Sequence, residues 1–147
     1  LAGHMQGICP GEDLEGALQS MEQPQELSAH HLEQIQAHAC TDVSGFGLLG
    51  HLAEMLPDDN LQAELLPDQI PVLAGARELA DRGVRSSLHP QNEIALQGRS
   101  FCQPLRASPL WPLLLDPQTA GGLLAAIPAS QGAAAEQRGF VIIGTIL

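Results

Sequence analysis

The residue best suited to chemistry in this chain is Asp42, a lone carboxylate that ends a short run and opens Asp42-Val43-Ser44-Gly45-Phe46-Gly47-Leu48-Leu49-Gly50-His51. An Asp at a strand end, beside free N–H groups at a helix start, can hold a hard cation while those N–H groups face a phosphate. The same pattern is also ordinary strand-to-helix punctuation, in which the Asp caps the helix. A second polar group, Asp116, Gln118 and Thr119, precedes Gly121-Gly122. A turn that merely joined two elements would need only the glycines, so Gln118 and Thr119 are read as hydrogen-bonding groups near a cleft. Gly45, Gly47 and Gly50 would admit a phosphate or a packed backbone, and close helix-on-sheet packing explains Gly47 and Gly50 equally well.

The remaining reactive types have plainer readings. His51 lies one turn into a helix and reads as a hydrogen-bonded structural histidine. His30 and His31 are adjacent, so they cannot share a helix face. His38, Cys40 and Asp42 alternate and would face one way on a strand, yet three such groups are too few for a zinc centre; Cys40 is expected to face a packed helix. Cys9 and Cys102 are expected in loops, with no base or cation cluster to lower a thiol pKa.

These groups must be positioned by elements that the hydrophobic pattern outlines. Leu14, Ala17, Leu18 and Met21 fall at i, i+3, i+4 and i+7, one face of a helix that Pro24 stops. A second helix is expected over 25–37, a strand over 39–43, and a helix over 46–56 that buries Phe46, Leu49, Leu52, Ala53 and Leu56 and is ended by Pro57 and Asp58-Asp59-Asn60. Then follow a strand over 62–66, a helix from Pro71 to a stop at Gly83, and a polar loop over 86–98 with no clear period. Ser108-Pro109 opens a short helix through Trp111 and Leu114; a strand over 123–127, a helix over 130–138 and a β-branched strand over 140–146 close the chain. The order predicts an α+β fold in which helices cover a mixed sheet of about four strands.

At 147 residues the chain is expected to form a single domain, 1–147. Lys and Arg number 6 against 17 Asp and Glu, a net charge of −11 that opposes nucleic acid and anionic membrane as partners. Any phosphate-binding role would then need metal ions or basic residues from elsewhere. Aromatics make up 3%, too few for base-stacking platforms. No apolar run is long enough to span a bilayer, and three cysteines without a CxxC pair fit a reducing cytoplasm better than a disulfide framework.

The wording of the two polar stretches is more specific than their geometry. TDVSGFGLLGHLAEM resembles the TDVTGFGLLGHLxEM signature of selenide, water dikinases (selenophosphate synthetases), and Leu115-Asp116-Pro117-Gln118-Thr119-Ala120-Gly121-Gly122-Leu123-Leu124 is similar to that family's DPQTSGGLL. The resemblance runs loosely from Met5 to Ile146 and implies the C-terminal half of the enzyme, with the C-terminal domain fold of the aminoimidazole-ribonucleotide-synthetase-like superfamily. It implies Asp42 as a magnesium ligand acting with carboxylates of an N-terminal ATP-binding domain, and Ser44, Gly45, Gln118 and Thr119 as nucleotide-facing residues. Ser44 stands where the family usually has Thr and keeps the hydroxyl; Ala120 replaces a usual Ser and loses one. Asn92 is matched to an Asn in the family's loop.

The family's nucleophile, its partner Lys and its glycine-rich ATP loop belong to the N-terminal half and match nothing here, so no catalytic residue is expected in this chain and it is expected to be inactive alone. The implied whole-protein reaction takes ATP, selenide and water to selenophosphate, AMP and phosphate with Mg²⁺, in a full-length homodimer. Two alternatives stand beside it: a related ATP-dependent synthetase of the same superfamily, and a non-catalytic interaction domain that keeps the fold.

Overall fold

The computed structural model describes residues 1–56 and 61–147. The helix end expected at 57–60 lies outside these residues. In chain order the elements are α1 (Ala2–Met5), α2 (Gly11–Met21), α3 (Glu26–Gln34), β1 (Ala39–Asp42), α4 (Gly47–Met55) and β2 (Ala63–Leu65). They continue with α5 (Ala76–Asp81), α6 (His89–Ala95), α7 (Trp111–Leu114), β3 (Leu123–Ala126), α8 (Gly132–Glu136) and β4 (Gly144–Ile146), joined by short 3-10 turns.

The four expected strands form, but not as one mixed sheet. β1 pairs antiparallel with β3, Ala39 opposite Ala126 and Asp42 opposite Leu123, while β2 pairs antiparallel with β4, Ala63 opposite Ile146. Among the described residues no ladder joins the two pairs. Side chains join them instead: Leu124 of β3 and Val43, just after β1, share one apolar cluster with Ala63 and Leu65 of β2 and Ile143, just before β4. The last strand is shorter than expected because Phe140 leaves the ladder for a second cluster, with Leu32, Ile35 and Ala135.

α4 is the central helix. Leu49, Leu52, Ala53 and Leu56 are buried as expected, and Arg99 closes its C-terminal end by donating to Ala53 O at 2.9 Å and Leu56 O at 3.3 Å. Phe46, expected in the core, is 55% exposed. It precedes the first helical turn, and the left-handed Gly47 (φ 68°) turns the chain after it. α5 starts at Ala76 rather than near Pro71, because Gly75 is left-handed (φ 69°) and breaks the helix there. The expected loop over 86–98 contains α6: Pro90 suits its first turn, and its inward residues are Asn92 and Leu96. An i, i+4 pair with one polar member leaves no visible apolar period. Leu18, on the face expected to pack α2 inward, is instead exposed.

Cys102, expected in a loop, is fully buried in the main cluster, and burial pushes its thiol up to about 11. Cys40 is exposed rather than packed under a helix; desolvation and the Asp42 charge raise its thiol as well. Iodoacetamide at neutral pH is therefore expected to alkylate Cys40 in the native protein and Cys102 only on unfolding, read by peptide mass mapping. The folded state holds the Cys102 proton longer than the unfolded chain does, so this thiol's contribution to stability falls as pH rises from 9.0 to about 11.

Candidate functional site

β1 delivers Asp42 to the end of the first strand pair with its side chain exposed, on the same face as Cys40 and His38. Beyond it the two polar stretches run side by side. Val43 N–H donates to Gly122 O at 2.9 Å, Gly121 N–H to Val43 O at 3.0 Å and Gln118 N–H to Ser44 O at 3.0 Å. A Cβ on Gly121 would fall 2.5 Å from Val43 O, so only glycine permits this approach. Asp42, Ser44, Gly45, Gln118 and Thr119 thus gather at one end of the β1–β3 pair, although they come from distant parts of the sequence.

Asn92 completes the junction. Buried at the centre of α6, it donates through Nδ2 to Gly45 O at 3.0 Å and to Leu115 O at 2.9 Å, tying both stretches to one side chain. Its polarity hid it from the hydrophobic pattern; the resemblance to a family Asn was the only sequence signal. Gly47 and Gly50 serve different purposes. Gly47 is left-handed, and a Cβ there would lie 2.8 Å from Leu115 C and 2.9 Å from Leu115 O. Gly50 makes room for the Phe46 side chain, whose Cβ would be 2.5 Å from a Cβ at position 50. A Cβ on Gly45 would meet nothing within 4 Å, so that face stays open.

Ser44 Oγ lies 3.1 Å from His51 Nε2, and His51 Nδ1 lies 3.0 Å from Glu54 Oε2. His51 is buried under Phe46, with ring centroids 5.4 Å apart. The histidine is hydrogen-bonded as expected; its partner Glu54 was legible as an i, i+3 neighbour on the same helix face. Gln118 is held through its backbone, while Gln118 and Thr119 side chains are exposed.

Burial raises the Asp116 carboxyl above its ordinary value, an effect that the ammonium of Leu1, then His89 and Arg85, reduce. Arg85 donates to Ala80 O and Val84 O, both at 2.7 Å. Residues 116–122 also border an open crevice of about 1780 Å³, whose lining includes Leu48, Leu52, Val72, Leu123, Phe140 and Ile143. Among the described residues no group of three His, Cys, Asp or Glu side chains could hold a metal ion, and no helix is long and apolar enough to cross a membrane. As an exposed hard oxygen donor, Asp42 fits a contribution of one ligand to a Mg²⁺ site and no more.

The matched region takes in every residue of this junction: positions 11–146 match the family described as AIR synthase related protein, C-terminal domain. The chain belongs to that family. It is 35% identical over 120 residues to the selenide, water dikinase of Caldanaerobacter subterraneus subsp. tengcongensis, covering 82% of this chain and 35% of that protein. It is 36% identical over 126 residues to the selenide, water dikinase of Agathobacter rectalis, covering 85% and 36%. With selenide, water dikinase 2 of Peptoclostridium acidaminophilum the identity is 34% over 101 residues, covering 69% and 29%. The likeness read from the two motifs therefore extends over most of the AIR synthase related domain. The chain spans about a third of the length of the curated relatives it matches.

Proposed function

We infer that this domain forms one wall of the ATP cleft of a selenide, water dikinase, the enzyme that converts ATP, selenide and water to selenophosphate, AMP and phosphate. The observation that carries the reading is the junction itself: Asp42 stands exposed where the TDVSGFG and DPQTAGG stretches hydrogen-bond to each other through Ser44 and Gln118. Asp42 contributes one carboxylate to Mg²⁺, and Ser44, Gly45, Gln118 and Thr119 face the nucleotide. Magnesium, when bound, neutralises phosphate charge, which this acidic domain cannot do with its own 6 Lys and Arg residues. The open face of Gly45 leaves room for a phosphate oxygen to approach the backbone.

The other ligands come from an N-terminal domain of the same polypeptide. The open, largely apolar crevice bordered by residues 116–122 is a surface that such a domain would cover. The whole protein is a homodimer that acts in the cytoplasm, a compartment consistent with three free cysteines.

Two measurements test the reading together. Calorimetry of this chain with Mg·ATP is expected to show weak binding or none. In the polypeptide that joins it to its N-terminal domain, Asp42→Asn is expected to lower selenide-dependent AMP formation by at least the ~10–100-fold that follows loss of a metal site's supporting contact. Asp42 is not the cap that the sequence also allowed, since α4 has Phe46 at its N-cap and no side-chain cap hydrogen bond; unchanged turnover would therefore overturn its magnesium role.

A further inference from the structure

Ser44, His51 and Glu54 are linked in an order that the nucleotide reading does not use. Glu54 Oε2 lies 3.0 Å from His51 Nδ1, and His51 Nε2 lies 3.1 Å from Ser44 Oγ. A carboxylate only accepts hydrogen bonds, so its contact places the imidazole proton on Nδ1 and leaves the Nε2 lone pair for the Ser44 hydroxyl proton. The His51 side chain is 7% exposed, which shields this pairing from water, whereas Glu54 is 58% exposed. An ion pair with one exposed partner contributes little to stability. What the Glu54 contact does secure is the tautomer and orientation of a base against a hydroxyl, the logic of a serine nucleophile.

We propose that Ser44 is an activated nucleophile toward uncharged acyl esters. Without magnesium, the net charge of −11 and the carboxylate of Asp42, two residues away, disfavour anionic substrates. Phe46, 55% exposed and against the His51 ring, offers an apolar surface for an acyl chain. Ser44 is itself partly exposed, and the space beside Gly45 is open. The Gly45 N–H, free of a backbone partner among the described residues, directly follows the nucleophile, the position from which an oxyanion donor is commonly drawn.

In the acyl-transfer step the Ser44 Oγ–carbon bond forms and the ester carbon–oxygen bond breaks. The hydroxyl proton passes to His51 Nε2 and from there to the departing alkoxide. Water then attacks the Ser44 ester, gives its proton to His51, and releases the carboxylic acid as Ser44 recovers its proton. No metal, nucleotide or redox partner enters the step; Ser44 and Gly45 are shared with the nucleotide reading, and leaving out ATP and Mg²⁺ keeps the two tests distinguishable.

The test treats this chain, without ATP or Mg²⁺, with an alkyl fluorophosphonate, whose P–F bond breaks as Oγ–P forms, and maps the adduct by mass spectrometry. The expected result is an adduct on Ser44, with the labelling rate lowered about 100-fold by His51→Gln, the scale of a lost general base, and lowered less by Glu54→Gln. The same Ser44 is expected to carry p-nitrophenyl acetate hydrolysis that Ser44→Ala removes. No Ser44 adduct, or labelling indifferent to His51→Gln, overturns the proposal. A measurement on the unsubstituted chain stands apart from any folding defect in the variants: in mildly alkaline buffer, long-range proton–nitrogen spectra should find the His51 proton on Nδ1 and none on Nε2. A proton on Nε2 would make Ser44 the acceptor and end the idea.

Discussion

Replacing Asn92 by Ala is expected to lower stability by about 2–4 kcal/mol, because it strands two main-chain carbonyls that one side chain serves. The hydrogen bond to the Leu115 oxygen is buried and that to Gly45 O only partly so, so Leu115 O bears most of the penalty. Asn92→Asp discriminates the cause. The Asp side chain has nearly the same shape but no N–H to donate, so it should be at least as damaging as Ala if hydrogen bonding matters and mild if packing alone does. Urea denaturation gives the magnitude. Hydrogen exchange at Gln118 and Gly121, whose amides bridge the two stretches, shows whether the junction opens before the rest of the fold.

Gly47→Ala is expected to cost about 2–5 kcal/mol, the sum of roughly 1–2 for an L-residue in the left-handed region and 1–3 for overpacking. The overpacking cannot be relieved by a rotamer change, since the obstructing atoms are the backbone C and O of Leu115 and the O of Asp116. At Gly45, two residues away, φ is not positive and an added Cβ would meet nothing within 4 Å, so Gly45→Ala is expected to leave the denaturation midpoint unchanged. A shift in both variants would point to general helix propensity; a shift in Gly47→Ala alone identifies the contact with residues 115–116.

Much of the fold was legible locally. Leu49, Leu52, Ala53 and Leu56 keep a helical period, and β1 and β3 fall inside their expected spans. The errors cluster where one residue obeys a distant constraint. Asn92 interrupts the period of α6 because its partners are carbonyls on two other segments. Phe46 follows the apolar pattern yet stays outside, held over His51 by the turn at Gly47 and the gap at Gly50. Cys40 and Cys102 exchange the environments expected of them, since a strand face and a 3-10 turn acquire burial only from what packs above them.

Sequence alone determined the identity of the two polar stretches, the lone carboxylate at the end of β1 and the shortage of positive charge, because residue type and order carry these directly. Only the tertiary structure decided that the stretches pair through Ser44 and Gln118, that Asn92 locks them, and that the strands form two antiparallel pairs rather than one sheet. Those features depend on hydrogen bonds and close backbone contacts between segments far apart in the chain, which no local periodicity records.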